Sequence, residues 1–87
     1  MNPTKEVIEN RIEEFDRDGE ERFLARYANG IGAKSHIMVK SGKAYPTKAL
    51  WASAFDPPIS PRAFQSLEAV AGLQSFGFEC FHKIEPS

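Results

Sequence analysis

Two lysines, a tyrosine and a proline fall within the nine residues from Gly42 to Leu50, a stretch reading Gly-Lys-Ala-Tyr-Pro-Thr-Lys-Ala-Leu. Amines beside an aromatic ring suit contact with an anion, and the order of residue types suggests how they are held. An apolar β-like run over 35–40 leads into a Ser41-Gly42 turn, and Pro46 suits the first turn of a helix because its fixed φ is helical and its missing N–H is not needed there. Lys34, Lys40, Lys43 and Lys48 lie between residues 31 and 48 with no Asp or Glu among them. A strand-turn-helix corner with this charge and free helix-entrance amides is a candidate phosphate site. Lysines that merely solubilise an edge strand would give the same pattern.

Residues suited to catalysis are sparse. Cys80 and His82 share one face of a predicted strand, yet a nucleophilic thiolate needs a lowered pKa and a base within reach, and zinc usually takes four ligands. Only His36 could be added to the pair, so a packed cysteine beside a boundary histidine accounts for it better. Glu9, Glu13 and Asp16 recur at helical spacing, but Arg11, Arg17 and Arg22 are interspersed, as on a solvated, ion-paired helix face. Ser41-Gly42-Lys43 lacks the Gly-x4-Gly-Lys-Ser/Thr spacing of a phosphate loop. The residues therefore point away from an enzyme, and no cofactor or metal is expected.

The elements that must position the corner follow from periodicity. Ile8, Ile12 and Phe15 form one stripe of a helix over about 5–16. Asp18-Gly-Glu-Glu21 reads as a new start with Asp18 as N-cap, giving a second helix over 19–29 that carries Phe23, Leu24, Tyr27 and Ala28 and ends on Asn29-Gly30. Strands are expected over 35–40 and 43–45, a third helix over 46–55, a fourth over 61–76 capped by Ser60-Pro61, and a last strand over 78–84. Ile37 and Val39 alternate with His36, Met38 and Lys40. Phe78, Cys80, His82 and Ile84 alternate with Glu79, Phe81 and Lys83. The predicted core is Leu50, Trp51, Phe64, Leu67, Leu73 and Phe78, with Gly72 a weak point in its helix that leaves a break near Ser66 open. The outcome is an α+β fold of order α-α-β-α-α-β, a single small domain over 1–87 with helices packed on a short antiparallel sheet.

Composition supports this reading. Of 87 residues, 41% are hydrophobic and 11% aromatic, enough for one globular core and too apolar for a disordered tail. One cysteine cannot form an internal disulfide, which suits a reducing cytoplasm. No signal peptide or bilayer-length apolar run is apparent, so no membrane partner is expected. The net charge of −1 divides unevenly: residues 1–30 carry five Lys/Arg against eight Asp/Glu, and residues 31–87 carry six against four. One face can thus repel a polyanion while another attracts it.

From about Phe23 onward the order Phe-Leu-Ala-Arg-Tyr, β-run, Gly-Lys-x-Tyr-Pro-x-Lys-Ala-Leu, Phe64 and Leu73-x-x-Phe-Gly-Phe-Glu79 resembles the N-terminal head domain of McrA-like, modification-dependent type IV restriction endonucleases. Where such domains carry a Ser-Gly-Gly-type turn after Phe64, this chain has Gln65-Ser66-Leu67. The resemblance implies a module and not a catalyst, since the HNH nuclease of those enzymes and their readers of modified bases or phosphorothioates are separate domains. With one Cys and two His, this chain has no HNH metal pattern of its own.

Two functions follow as expectations. The first is a small non-catalytic binding module of bacterial or phage defence, touching DNA backbone or a partner protein through Lys34, His36, Lys40, Lys43, Tyr45 and Lys48. The alternative is a compact protein inhibitor, such as an anti-CRISPR or other mobile-element product, whose acidic first helix (Glu6, Glu9, Glu13, Glu14, Asp16) occupies the basic channel of a nucleic-acid-binding protein. Phe81, between Glu79 and Lys83 on an outward strand face, marks a candidate homodimer contact.

Overall fold

The computed structural model describes residues 3–28, 30 and 36–82. The expected strand residues Ser35, Lys83 and Ile84, and the turn residue Asn29, lie outside these. Helix α1 spans Lys5–Asp18 and starts on Thr4, whose hydroxyl accepts from the Val7 amide. Its stripe Ile8, Ile12 and Phe15 is buried. Helix α2 spans Glu20–Tyr27. The break between them differs from the capping expected of Asp18, which closes α1 while Gly19 takes the junction with no side-chain cap. Gly19 sits at φ 91, ψ 159, a region open essentially to glycine alone, so the chain turns there without side-chain assistance.

Strand β1 (His36–Lys40) and strand β2 (Lys43–Pro46) form a hairpin whose two-residue turn, Ser41-Gly42, has positive φ at both positions. Such a turn matches the twist of antiparallel strands and fixes their register. Lys40 thereby pairs with Lys43 and Met38 with Tyr45. Pro46 ends β2 rather than opening a helix, and α3 runs Thr47–Ser53. After the bend at 55–57, the helix expected over 61–76 is divided, with the break near Ser66 that the sequence leaves open. A 3-10 turn, Pro61–Ala63, is capped by the Ser60 hydroxyl, and α4 begins separately at Ser66 and ends at Ser75. Phe64 and Gln65 between them are extended. Strand β3, Glu79–His82, pairs antiparallel with β1, giving the sheet order β2-β1-β3.

The helices cover one face of this α+β sheet. Tyr45, Met38 and Cys80 face one another across the three strands, with Met38 and Tyr45 in the same core as Ile8, Phe15, Phe23, Leu50 and Leu73. Helix α3 is central, touching α1, α2, α4, β1 and β2. Arg11 extends from α1 to donate from Nε to the Ser53 carbonyl at 2.9 Å, tying α1 to the end of α3. Four core assignments need correction. Leu67 is 68% exposed, because the helix restarts at Ser66 and its buried phase falls on Ala69 and Leu73. Trp51, Phe64 and Phe78 are half-buried and not central.

Gly72 is not a weak point. A Cβ there would lie 2.5 Å from Cζ2 and Cζ3 of Trp51, whose indole occupies the space that the missing side chain leaves. Flanked by Phe55 and Phe76 at centroid distances of 6.1 and 6.0 Å, that indole joins α3 to α4.

Candidate nucleic-acid interface

The hairpin brings Lys40 and Lys43 directly opposite each other at its tip, beside exposed Ser41 and Gly42. Like charges paired across strands repel, so this end of the sheet favours an anion between or above them. One anion is already present. Asp16, at the end of α1, accepts from Lys43 Nζ at 2.7 Å and from the Tyr45 hydroxyl at 2.8 Å, both at Oδ1. These two hydrogen bonds hold its carboxyl below the ordinary aspartate range, with Lys43 the larger influence. Burial first, and then the hydrogen bond to Asp16, push the Tyr45 phenol up to about 12.

Tyr45 therefore has a different place from the one its sequence context suggests. It is 3% exposed, packed edge-on against Phe15 at 4.9 Å, with only its hydroxyl engaged beyond the core. Its ring is not available to stack on a base. The helix entrance is also interior: Pro46 and Thr47 are buried, and the Thr47 hydroxyl donates to the His36 carbonyl at 3.2 Å. A buried entrance to a seven-residue helix offers no anion site, so the amides near Thr47 drop out of the interface.

Lys48 and His36 lie away from the tip. The Lys48 amine sits 5.7 Å from the centre of the Phe64 ring, a cation–π contact on the side facing the 3-10 turn. His36 is half-buried at the far end of β1. It lies about 13 Å along the strand from Lys40 at 3.3 Å per residue. Lys34 is outside the described residues. The sheet end thus gathers Lys40 and Lys43, while His36 and Lys48 belong to other parts of the surface.

The residues expected to form an acidic contact face divide as well. Glu6, Glu9 and Glu13 are exposed on α1, opposite its buried stripe. Glu14 is half-buried with one oxygen 3.3 Å from Arg26 Nη1. Asp16 belongs to the hairpin tip. No signal in the sequence joined Asp16 to Lys43 and Tyr45, since the partners lie 27 and 29 residues away. Burial pushes the Cys80 thiol up, the direction opposite to that of an activated nucleophile. Among the described residues, no group of three or more His, Cys, Asp or Glu could hold a metal ion. Nor is any helix among them long and apolar enough to cross a membrane.

A helix-backed three-stranded sheet whose hairpin tip carries paired lysines defines a small α+β module, and comparison with known proteins gives its family. The chain belongs to the ScoMcrA-like N-terminal head domain family, whose model matches residues 2–82. Among solved structures it is similar to that of the type IV phosphorothioation-dependent restriction endonuclease ScoMcrA, at 27% identity and a TM-score of 0.71. The match covers 99% of this chain and 14% of that one. No curated protein matches the chain.

Proposed function

We infer that this chain is a non-catalytic, DNA-contacting module of restriction-type defence, folding as one unit and touching the duplex backbone through the tip of the β1–β2 hairpin. The observation that carries the reading is the Lys40–Lys43 cross-strand pair. Family membership supports the setting, because the similar solved structure is that of a phosphorothioation-dependent restriction endonuclease. In this reading Lys40 and Lys43 each neutralise a phosphate, with Ser41 and Gly42 at the point of approach. Of the other residues expected in the contact, His36 and Lys48 lie away from the tip and Lys34 lies outside the described residues, so the contact rests on Lys40 and Lys43. Lys43 exchanges its bond to Asp16 for one to phosphate, so affinity is modest and steeply dependent on salt.

The test is the salt dependence of duplex binding. Each phosphate contact contributes a log–log slope of about −0.9, so Lys40→Gln and Lys43→Gln should each flatten the slope by about one unit. Absence of duplex binding at low salt, or slopes unchanged in both variants, would refute it.

A second reading draws on the exposed Glu6, Glu9 and Glu13 of α1, which could enter the basic groove of a nucleic-acid-binding protein. It is narrower than the sequence suggests, because Asp16 is already paired with Lys43.

A further inference from the structure

Beside the hairpin tip, an open cleft of about 500 Å³ lies between the start of α1, the β1–β2 turn and the α4–β3 turn. Its size is that of small-molecule sites. Lys5, Lys40, Glu9, Glu79, Phe76 and Phe78 are among the residues that line it. Three chemistries meet there. Two half-buried phenyl rings, packed against the core, leave part of their surface at the cleft, two ammonium groups offer charge to a phosphate, and two exposed carboxylates offer acceptors and no donors.

We propose that this cleft is a site for a single nucleotide whose base carries an exocyclic amino group. Stacking on aromatic rings tolerates any base, so Phe76 and Phe78 set affinity and not identity. The carboxylates decide identity. Glu9 and Glu79 can accept from the amino group of cytosine, adenine or guanine, as acidic side chains accept from cytosine N4 in groove readout. Uracil and thymine present a carbonyl oxygen at the same ring position, which faces a carboxylate unfavourably. Lys5 and Lys40 take the phosphate. Lys40 also belongs to the hairpin tip, so a strand held there by its backbone has an unpaired or extruded base next to the cleft. The inference rests on the DNA reading for the origin of the nucleotide; the cleft's capacity to bind a free one does not.

The measurement is an amide NMR titration of the intact chain with dCMP, dUMP and inorganic phosphate, following Ser41, Gly42, Gly77 and Phe78. The two nucleotides have the same size and charge and differ in the base's amino or carbonyl substituent. We expect dCMP to shift all four amides with a Kd at least about tenfold below that of dUMP. Lys40→Gln should weaken both nucleotides, and the Glu9→Gln/Glu79→Gln double variant should remove the preference at unchanged Tm, since both positions are exposed. Equal affinity for dCMP and dUMP would overturn the proposal, as would shifts reproduced by phosphate alone, a preference surviving in the double variant, or no shift at millimolar ligand. Duplex binding without dCMP binding refutes the cleft and leaves the backbone contact standing; dCMP binding without duplex binding does the reverse.

Discussion

Replacing Gly72 by Ala tests the α3–α4 junction, because two opposing effects can be weighed against each other. Alanine in a helix interior is favoured over glycine by about 1 kcal/mol. Against this, the new Cβ would meet three atoms of the Trp51 six-membered ring, Cη2, Cζ2 and Cζ3, well inside van der Waals contact. Relief requires the whole ring to move by about 1 Å, and Phe55 and Phe76 flank it. Overpacking of this kind costs about 1–3 kcal/mol. The three-atom encounter puts the cost in the upper half of that range, so Gly72→Ala should destabilise by about 1–2 kcal/mol net. In a domain of this size that lowers Tm by about 4–8 °C per kcal/mol.

The sign should reverse when the ring is removed. In a Trp51→Leu background the three atoms are absent, and Gly72→Ala should then stabilise by about 0.5–1 kcal/mol. Urea unfolding of the four proteins in this cycle gives the coupling directly, expected at about 1.5–3 kcal/mol. A Gly72→Ala variant that is more stable than the parent with Trp51 present, or a coupling near zero, would refute the reasoning.

Other outcomes follow from the hairpin tip and α1. Asp16→Asn should raise duplex affinity at low salt by about two- to fivefold, the worth of an exposed ion pair, and leave the fold intact. Tyrosinate absorbance should show Tyr45 ionising at about 12, falling part of the way toward the ordinary value in Asp16→Asn because burial remains; a phenol already at its ordinary value in the parent would contradict its burial and its bond to Asp16. Because the folded value is raised, the stability it contributes is present below the unfolded value near 10 and lost as pH rises through 12. The lowered carboxyl of Asp16 acts at the other end, contributing stability above its ordinary value of 3.8 that is lost as pH falls through the lower folded value. Reversing Glu6, Glu9 and Glu13 to Lys should leave Tm nearly unchanged, since all three are exposed, and retained capture of a protein partner would exclude the acidic face as its contact.

Local physics explains what the sequence revealed. The stripe Ile8, Ile12 and Phe15 and the Ser41-Gly42 turn are set by periodicity and turn chemistry within a few residues, while the antiparallel pairing of the last strand with the first, though distant in sequence, follows from the alternation within each strand. The family was legible in the Tyr45-Pro46-x-Lys48-Ala49-Leu50 block and the Gly77-Phe78-Glu79 ending. Failures came where distant parts meet. Leu67 looked internal only while its helix was taken as continuous; the restart at Ser66 rotates it outward. Gly72 looked weak because the Trp51 ring that fills its place lies on another helix. Tyr45 looked like a surface aromatic because neighbouring lysines are exposed, yet alternation along β2 turns it to the core side with Met38.

Asp16 shows why charge runs alone misassign a surface. Counted along the chain, it belongs to an acidic helix that repels polyanions, while Lys43 belongs to a basic segment that attracts them. In the fold they are one ion pair, with Tyr45 donating to the same oxygen. The pair offsets the Lys40–Lys43 repulsion in the free protein, so the hairpin keeps its register without an external anion. It also sets the energetic threshold for binding. A phosphate at Lys43 must outcompete a carboxylate that is already in place, although that carboxylate is held by an exposed bond of small net worth. If the tip binds DNA as proposed, it discriminates against single dispersed anions and favours a polyanion, whose successive phosphates would engage Lys40 and Lys43 together and release counterions from each.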